Sequence, residues 1–237
     1  MPAKTFLTAE WRKLIMANYA VNPKLLEPYL PYGTELDLWQ GQCYVSLVGF
    51  LFQKVRLKGI PVPFHTTFPE VNLRFYVRFK SGEGWRRGVV FIKEIVPRPA
   101  LTLVARTFYG EPYQTMPMQY CLEEKSDLLQ ASYSWKYQRW HHLSVAAKNK
   151  ASAIEKGSEA EFITEHYWGY TKRGEQHTSE YEVVHPVWEQ YPVTAHDIDA
   201  DFGLLYGQQF NFLTNTKPNS IILAEGSPIA VRMGLKV

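Results

Sequence analysis

Hydrophobic and polar positions alternate most regularly in "VNLRFYVRF". There Val71, Leu73, Phe75 and Val77 fall on one side, and Asn72, Arg74, Tyr76 and Arg78 on the other. A period of two marks a strand with two unlike faces. "KSGEGWR" reads as the turn that follows, with Arg86 and Arg87 at its tip, and "GVVFIKEIV" as the returning strand. Upstream, "ELDLWQGQCYVSLVGFLFQKVRL" reads as two strands hinged at Gln40 and Gly41. The prolines of "GIPVPFHTTFPE" make an irregular loop between them and the alternating strand. Downstream, "YQTMPMQYCLEE" and "QASYSWKYQRW" form a hairpin around Lys125, Ser126 and Asp127, with "HHLSVAAKN" pairing beyond it. "WGYTKR" and "TSEYEVVHPVW" flank Gly174, and "SIILAEG" and "PIAVRMGLKV" close the chain as two further strands.

Helical signals are fewer. Asn22 before Pro23 is a capping residue followed by a proline in the first turn, and Pro28 and Pro31 keep that helix short. The apolar run ahead of it is read as an N-terminal helix. "PALTLVARTFYG" spaces Leu101, Val104, Ala105 and Phe108 as a helix does and ends at Gly110. Ser158 and Glu161 form a capping box for "SEAEFITEHYW". A last helix in "DIDADFGLLYGQQF" is expected to be capped near Asp197 or Asp199. Many short strands, few helices and no βαβ alternation predict a mainly β fold. The expectation is an antiparallel β-barrel or cone with short helices outside, spanning residues 1–237 as one domain. The polar side of the alternating strand, with Glu70, Asn72 and Arg74, then faces a central cavity, and the apolar side packs outward under helices.

Composition narrows the function. The net charge of +3 is too slight and too dispersed for a protein that tracks phosphates, so no nucleic-acid partner is expected. Leu38 to Gln53 is the longest uncharged run and falls short of the ~20 apolar residues of a membrane helix. The N-terminus offers no convincing cleavage site, so a cytoplasmic protein is expected. Cys43 and Cys121 have no CxxC context and are read as two buried free thiols. The seven histidines show no HxH or HExxH spacing, so no metal and no cofactor are expected. Neither a GxSxG elbow nor a glycine-rich phosphate cradle occurs. The apolar N-terminal run and the strand "CYVSLVGFLF" leave room for a homo-oligomeric contact.

One corner carries the chemistry. Arg106 is the lone charge on "PALTLVARTFYG" and calls for a carboxylate from Glu111, Glu70, Glu94 or a ligand. The blocks "NYAVNPKLLEPYLPYGTELDLWQGQCYVSLVGFLF", "PEVNLRFYVR", "RRGVVFIKEIVPR", "YGEPY", "YWGYT" and "ILAEGSP" together resemble the YqjF-like uncharacterised family, in order and over almost the whole chain. That family is similar in fold to acetoacetate decarboxylase, which implies a β-barrel or cone around a cavity. The decarboxylase signature runs Gly-Arg-Glu, two residues, then Gly-Tyr-Pro-Lys-Lys, the first lysine forming the Schiff base. Arg106, Gly110 and Pro112 match it, while Tyr113 stands at the nucleophile position and Gln114 beside it. Glu70 matches an early cavity glutamate.

A phenol cannot form an imine. Lys93, the nearest lysine, is followed by Glu94 and is read as a salt-linked rim residue. The resemblance therefore implies a cavity that binds a small polar or anionic molecule through Arg106, Glu111, Gln114, Asn72 and Arg74, without Schiff-base chemistry. The alternative is a cofactor-free lyase, isomerase or hydratase acting on a small carbonyl compound, with Tyr113 as acid and Glu70 as base. A third outcome is a barrel filled by its own aromatic rings.

Overall fold

The computed structural model describes residues 5–100, 102–103 and 110–236, with side chains through residue 232. Arg106 and most of the helix expected around it lie outside the described residues.

The strands, in chain order, are β1 (Thr5–Val21), β2 (Thr34–Leu36), β3 (Cys43–Leu57), β4 (Ile60–Pro61), β5 (Phe68–Ser81), β6 (Gly84–Val96), β7 (Tyr113–Thr115) and β8 (Met118–Glu124). They continue as β9 (Leu128–Tyr137), β10 (Arg139–Lys148), β11 (Ser152–Ala153), β12 (Trp168–Lys172), β13 (Thr178–Val184), β14 (Glu189–Tyr191), β15 (Val193–Asp199) and β16 (Ser220–Lys236). Two short helices, α1 (Glu159–Thr164) and α2 (Phe202–Tyr206), interrupt the second half.

Pairing runs β1-β3-β5-β6-β12-β13-β16, and β16 pairs back onto β1, so the large sheet curls round into a cone-like ring. Most pairs are antiparallel, but β6 pairs in parallel with both β7 and β12. A second sheet, in the order β15-β10-β9-β8, packs against the outside. The apolar face of β5 (Val71, Leu73, Phe75, Val77) is buried against Tyr133 and Trp135 of β9 and the residues around α2. The expectation of helices outside the ring is thus half met, because a four-stranded sheet takes most of that role.

The N-terminal run forms β1 rather than a helix. It is covered by the second sheet on one side and the ring interior on the other, so Lys13 to Tyr19 are buried on both faces. A doubly buried strand loses its alternation, which is why the run reads ambiguously. The two expected C-terminal strands form a single β16, which stays continuous because Gly226 adopts φ +81° against β1.

Side-chain caps follow the sequence closely. Asn22 accepts from the Lys24 amide, opening a 3-10 turn instead of a full helix. Ser158 accepts from the Glu161 amide, while the Glu161 carboxylate reaches back to Gly157 N–H, one residue beyond the expected capping-box partner. Asp201, not Asp197 or Asp199, caps the last helix, since the earlier aspartates belong to β15. Arg86 and Arg87 lie on β6, paired with Glu180 and Asp37. Cys43 is buried, whereas Cys121 is exposed on β8.

Candidate active site in the central cavity

β5 supplies the floor of the cavity by parity alone. Glu70, Asn72 and Arg74 occupy its inward positions and are all buried. Asn72 faces Glu94 across the β5–β6 ladder, and Glu94 pairs in parallel register with Tyr113. Glu111 lies two residues before Tyr113 and lines the same cavity. Three carboxyl groups from three segments are thereby brought to one cavity with the Tyr113 phenol.

Hydrogen bonds order this group. Tyr113 Oη donates to Glu70 Oε2 at 3.1 Å, and Asn72 Nδ2 donates to Glu70 Oε1 at 3.0 Å. Thr171 of β12 donates to Glu111 Oε1 at 2.6 Å. Tyr181 of β13 also bonds to Glu111, and Tyr113 to Glu94. Arg74 reaches the Ile163 carbonyl at 3.4 Å and lies over the Tyr76 ring. Gly110 makes room for the chain on the far side, because a Cβ there would sit 1.5 Å from Arg173 Nη1.

Burial dominates the electrostatics. It raises the Glu70 and Glu111 carboxyls to about 7, against the opposing pull of their hydrogen bonds. Glu94 is pushed well above the usual carboxylate range, by burial first and then by the charges of Glu111 and Glu70. The Tyr113 phenol is likewise held protonated by burial and by Glu70 and Glu94. His166, buried beside Asp37 at 3.1 Å, falls to about 4 and is neutral.

Above the floor, the walls are apolar and aromatic. Trp11, Phe50, Phe52, Phe68, His185 and Trp188 enclose a cavity of about 220 Å³. That is below the roughly 300–1,000 Å³ of drug-sized pockets, so the space suits a compact molecule. The ring interior is not plugged by aromatic side chains.

Among the described residues, no lysine lines the cavity. Lys93 faces the opposite side of β6, where it donates to the Leu205 carbonyl and sits over Tyr206, so it is neither a rim residue nor paired with its neighbour Glu94. Lys13, which is buried, is committed elsewhere. Burial lowers its pKa, but Glu225, Tyr191 and Glu124 more than offset this and hold it charged.

Of the expected site residues, Glu70, Asn72, Arg74, Glu111 and Tyr113 meet in the cavity. Gln114 does not. It registers with Ile95, a core residue of the opposite face, because adjacent strand residues point to opposite sides. Sequence reasoning missed Tyr181, Thr171, His166, His185 and the aromatic wall. Glu94 enters the sequence reading only as a partner for Arg106 or Lys93. Among the described residues, no cluster of three or more His, Cys, Asp or Glu is placed to hold a metal ion, and no helix is long and apolar enough to cross a membrane.

Residues 8–228 match DUF2071, an uncharacterized conserved protein family. The uncharacterized protein YqjF of Bacillus subtilis (strain 168) is 29% identical over 164 residues, covering 68% of this chain and 65% of that protein. Among solved structures, acetoacetate decarboxylase from Legionella pneumophila superposes with a TM-score of 0.66 at 15% identity, covering 100% of this chain and 88% of that one. The enduracididine biosynthesis enzyme MppR gives 0.69 at 13%, covering 100% and 89%. An acetoacetate decarboxylase-like enzyme from Sphingomonas wittichii RW1 gives 0.65 at 9%, covering 99% and 94%. At these identities the likeness establishes the fold.

Proposed function

The chain belongs to the DUF2071 family, and we propose that its cavity binds a small carbonyl or hydroxy compound and moves a proton on it without imine chemistry or a cofactor. The observation that carries this reading is the meeting of Glu70 and Glu94 at the Tyr113 hydroxyl, with Glu111 beside them on Tyr181 and Thr171, in a cavity that no lysine lines among the described residues. A carboxyl group poised near neutral pH is suited to act as a general base. Its carboxylate takes a proton from the carbon beside the carbonyl. The Tyr113 hydroxyl, which now donates to Glu70, is the donor available to the oxygen on which negative charge develops. Among the described residues, three carboxyl groups outnumber the guanidiniums that face them, Arg74 in the lining and Arg173 behind Glu111, which disfavours an anionic occupant.

Hydrogen–deuterium exchange of butanone and cyclohexanone in D2O, followed by NMR, tests this function. Exchange above the buffer rate is expected, with loss of about 100-fold or more in Glu70→Gln and in Tyr113→Phe. Exchange that never exceeds buffer, or that survives both substitutions, contradicts the proposal.

A further inference from the structure

The residues lining the cavity carry polar atoms that the protein leaves without partners. Glu94 Oε2, Glu111 Oε2 and Asn72 Oδ1 are buried without a hydrogen-bond partner. His166 Nδ1 joins them, a bare acceptor once Nε2 donates to Asp37. All four belong to residues that line the cavity. Among the described lining residues, the unpartnered donors are Arg74 Nε on the floor and Trp11 Nε1 in the wall. Tyr113, Tyr181 and Thr171 already give their hydroxyl protons to the carboxyl groups. Once Glu94 and Glu111 are ionised, their bare oxygens are buried acceptors without a donor, which is costly, so the ionised site defines what a ligand must bring.

The walls point the same way. Trp11 lies edge-on to Phe50 at 5.3 Å and to Trp188 at 6.3 Å, and Phe52 stacks on Phe68 at 4.9 Å. His185 stacks on Trp188 at 4.3 Å. Ring faces next to buried carboxylates favour a desolvated cation.

We infer that the compound this cavity takes carries a compact cationic head, an amine or amidine whose N–H groups meet Glu94, Glu111 and Asn72 while its apolar body lies against Trp11, Phe50 and Phe52. The inference rests on the cavity being a small-molecule site and is independent of the proton transfer proposed above. The groups facing the carboxyls are Arg74, Tyr113, Tyr181, Thr171 and the neutral His166, with Arg173 behind Glu111.

Three probes of one shape and different heads decide it: benzylamine, benzyl alcohol and benzoate, titrated into the intact protein by calorimetry. Benzylammonium is expected to bind about tenfold or more tightly than the alcohol, with no binding of benzoate. Its affinity should rise between about pH 6 and pH 8 as the carboxyls ionise, since an alkylamine stays charged across that range. Glu94→Gln and Glu111→Gln keep the shape and remove the charge. Both are expected to fold, which thermal melting checks, and to lose that preference. Equal binding of the alcohol, tighter binding of benzoate, or no binding of any probe overturns the inference. Ketone exchange that persists in that last case leaves the proposed function standing.

Discussion

At the scale of single residues, the account turns on carboxyl groups that keep their protons to unusually high pH. In the unfolded chain Glu70 and Glu111 release them near 4.3. In the fold they hold them to about 7. Between these values the native state binds more protons than the unfolded one, so these two groups make stability fall as pH rises. His166, neutral in the fold to about 4, acts in the opposite sense over the acid range. The carboxyl contribution is therefore isolated by difference. The double variant Glu70→Gln, Glu111→Gln should gain melting temperature relative to the parent, and gain more at pH 8 than at pH 5. Parallel melting curves across that range would show that the carboxyls are not perturbed. The parity of "PEVNLRF" made Glu70, Asn72 and Arg74 legible, and "YGEPY" gave Glu111 and Tyr113. Tyr181 and Thr171 gave no such signal, because they reach Glu111 from strands about 60 and 70 residues later, joined only by the ring's closure.

At the scale of elements, alternation succeeded where one face of a strand differs from the other and failed where both are buried. β5 declared itself, whereas β1 did not, and Lys13 with φ +52° adds a bulge that breaks its periodicity further. The continuity of β16 depends on Gly226. A Cβ there would lie 2.0 Å from the Trp11 carbonyl oxygen, at a backbone angle that other residues rarely adopt. Gly226→Ala should lower the melting temperature by roughly 5–10 °C. An unchanged melting temperature would mean that β1 and β16 are not locked in the register described. Asp201→Ala removes a cap from α2 and should cost about 1 kcal/mol in chemical denaturation. The expected cap at Asp197 or Asp199 missed by one strand, because "DIDAD" offers three aspartates and only the ladder with β10 decides among them.

At the scale of the whole molecule, the ring and its cavity follow from strand count and turn chemistry, while the second sheet is a matter of long-range packing that local pattern does not carry. The fold is that of the decarboxylase-like structures, but among the described residues the cavity lining offers carboxyl and phenol groups where imine formation requires an unprotonated amine. Trapping with borohydride in the presence of pyruvate, followed by intact mass and peptide mapping, puts that difference to the test. The account predicts no stoichiometric adduct at any lysine. One adduct per chain, mapped to Lys93, Lys13 or another lysine, would contradict it.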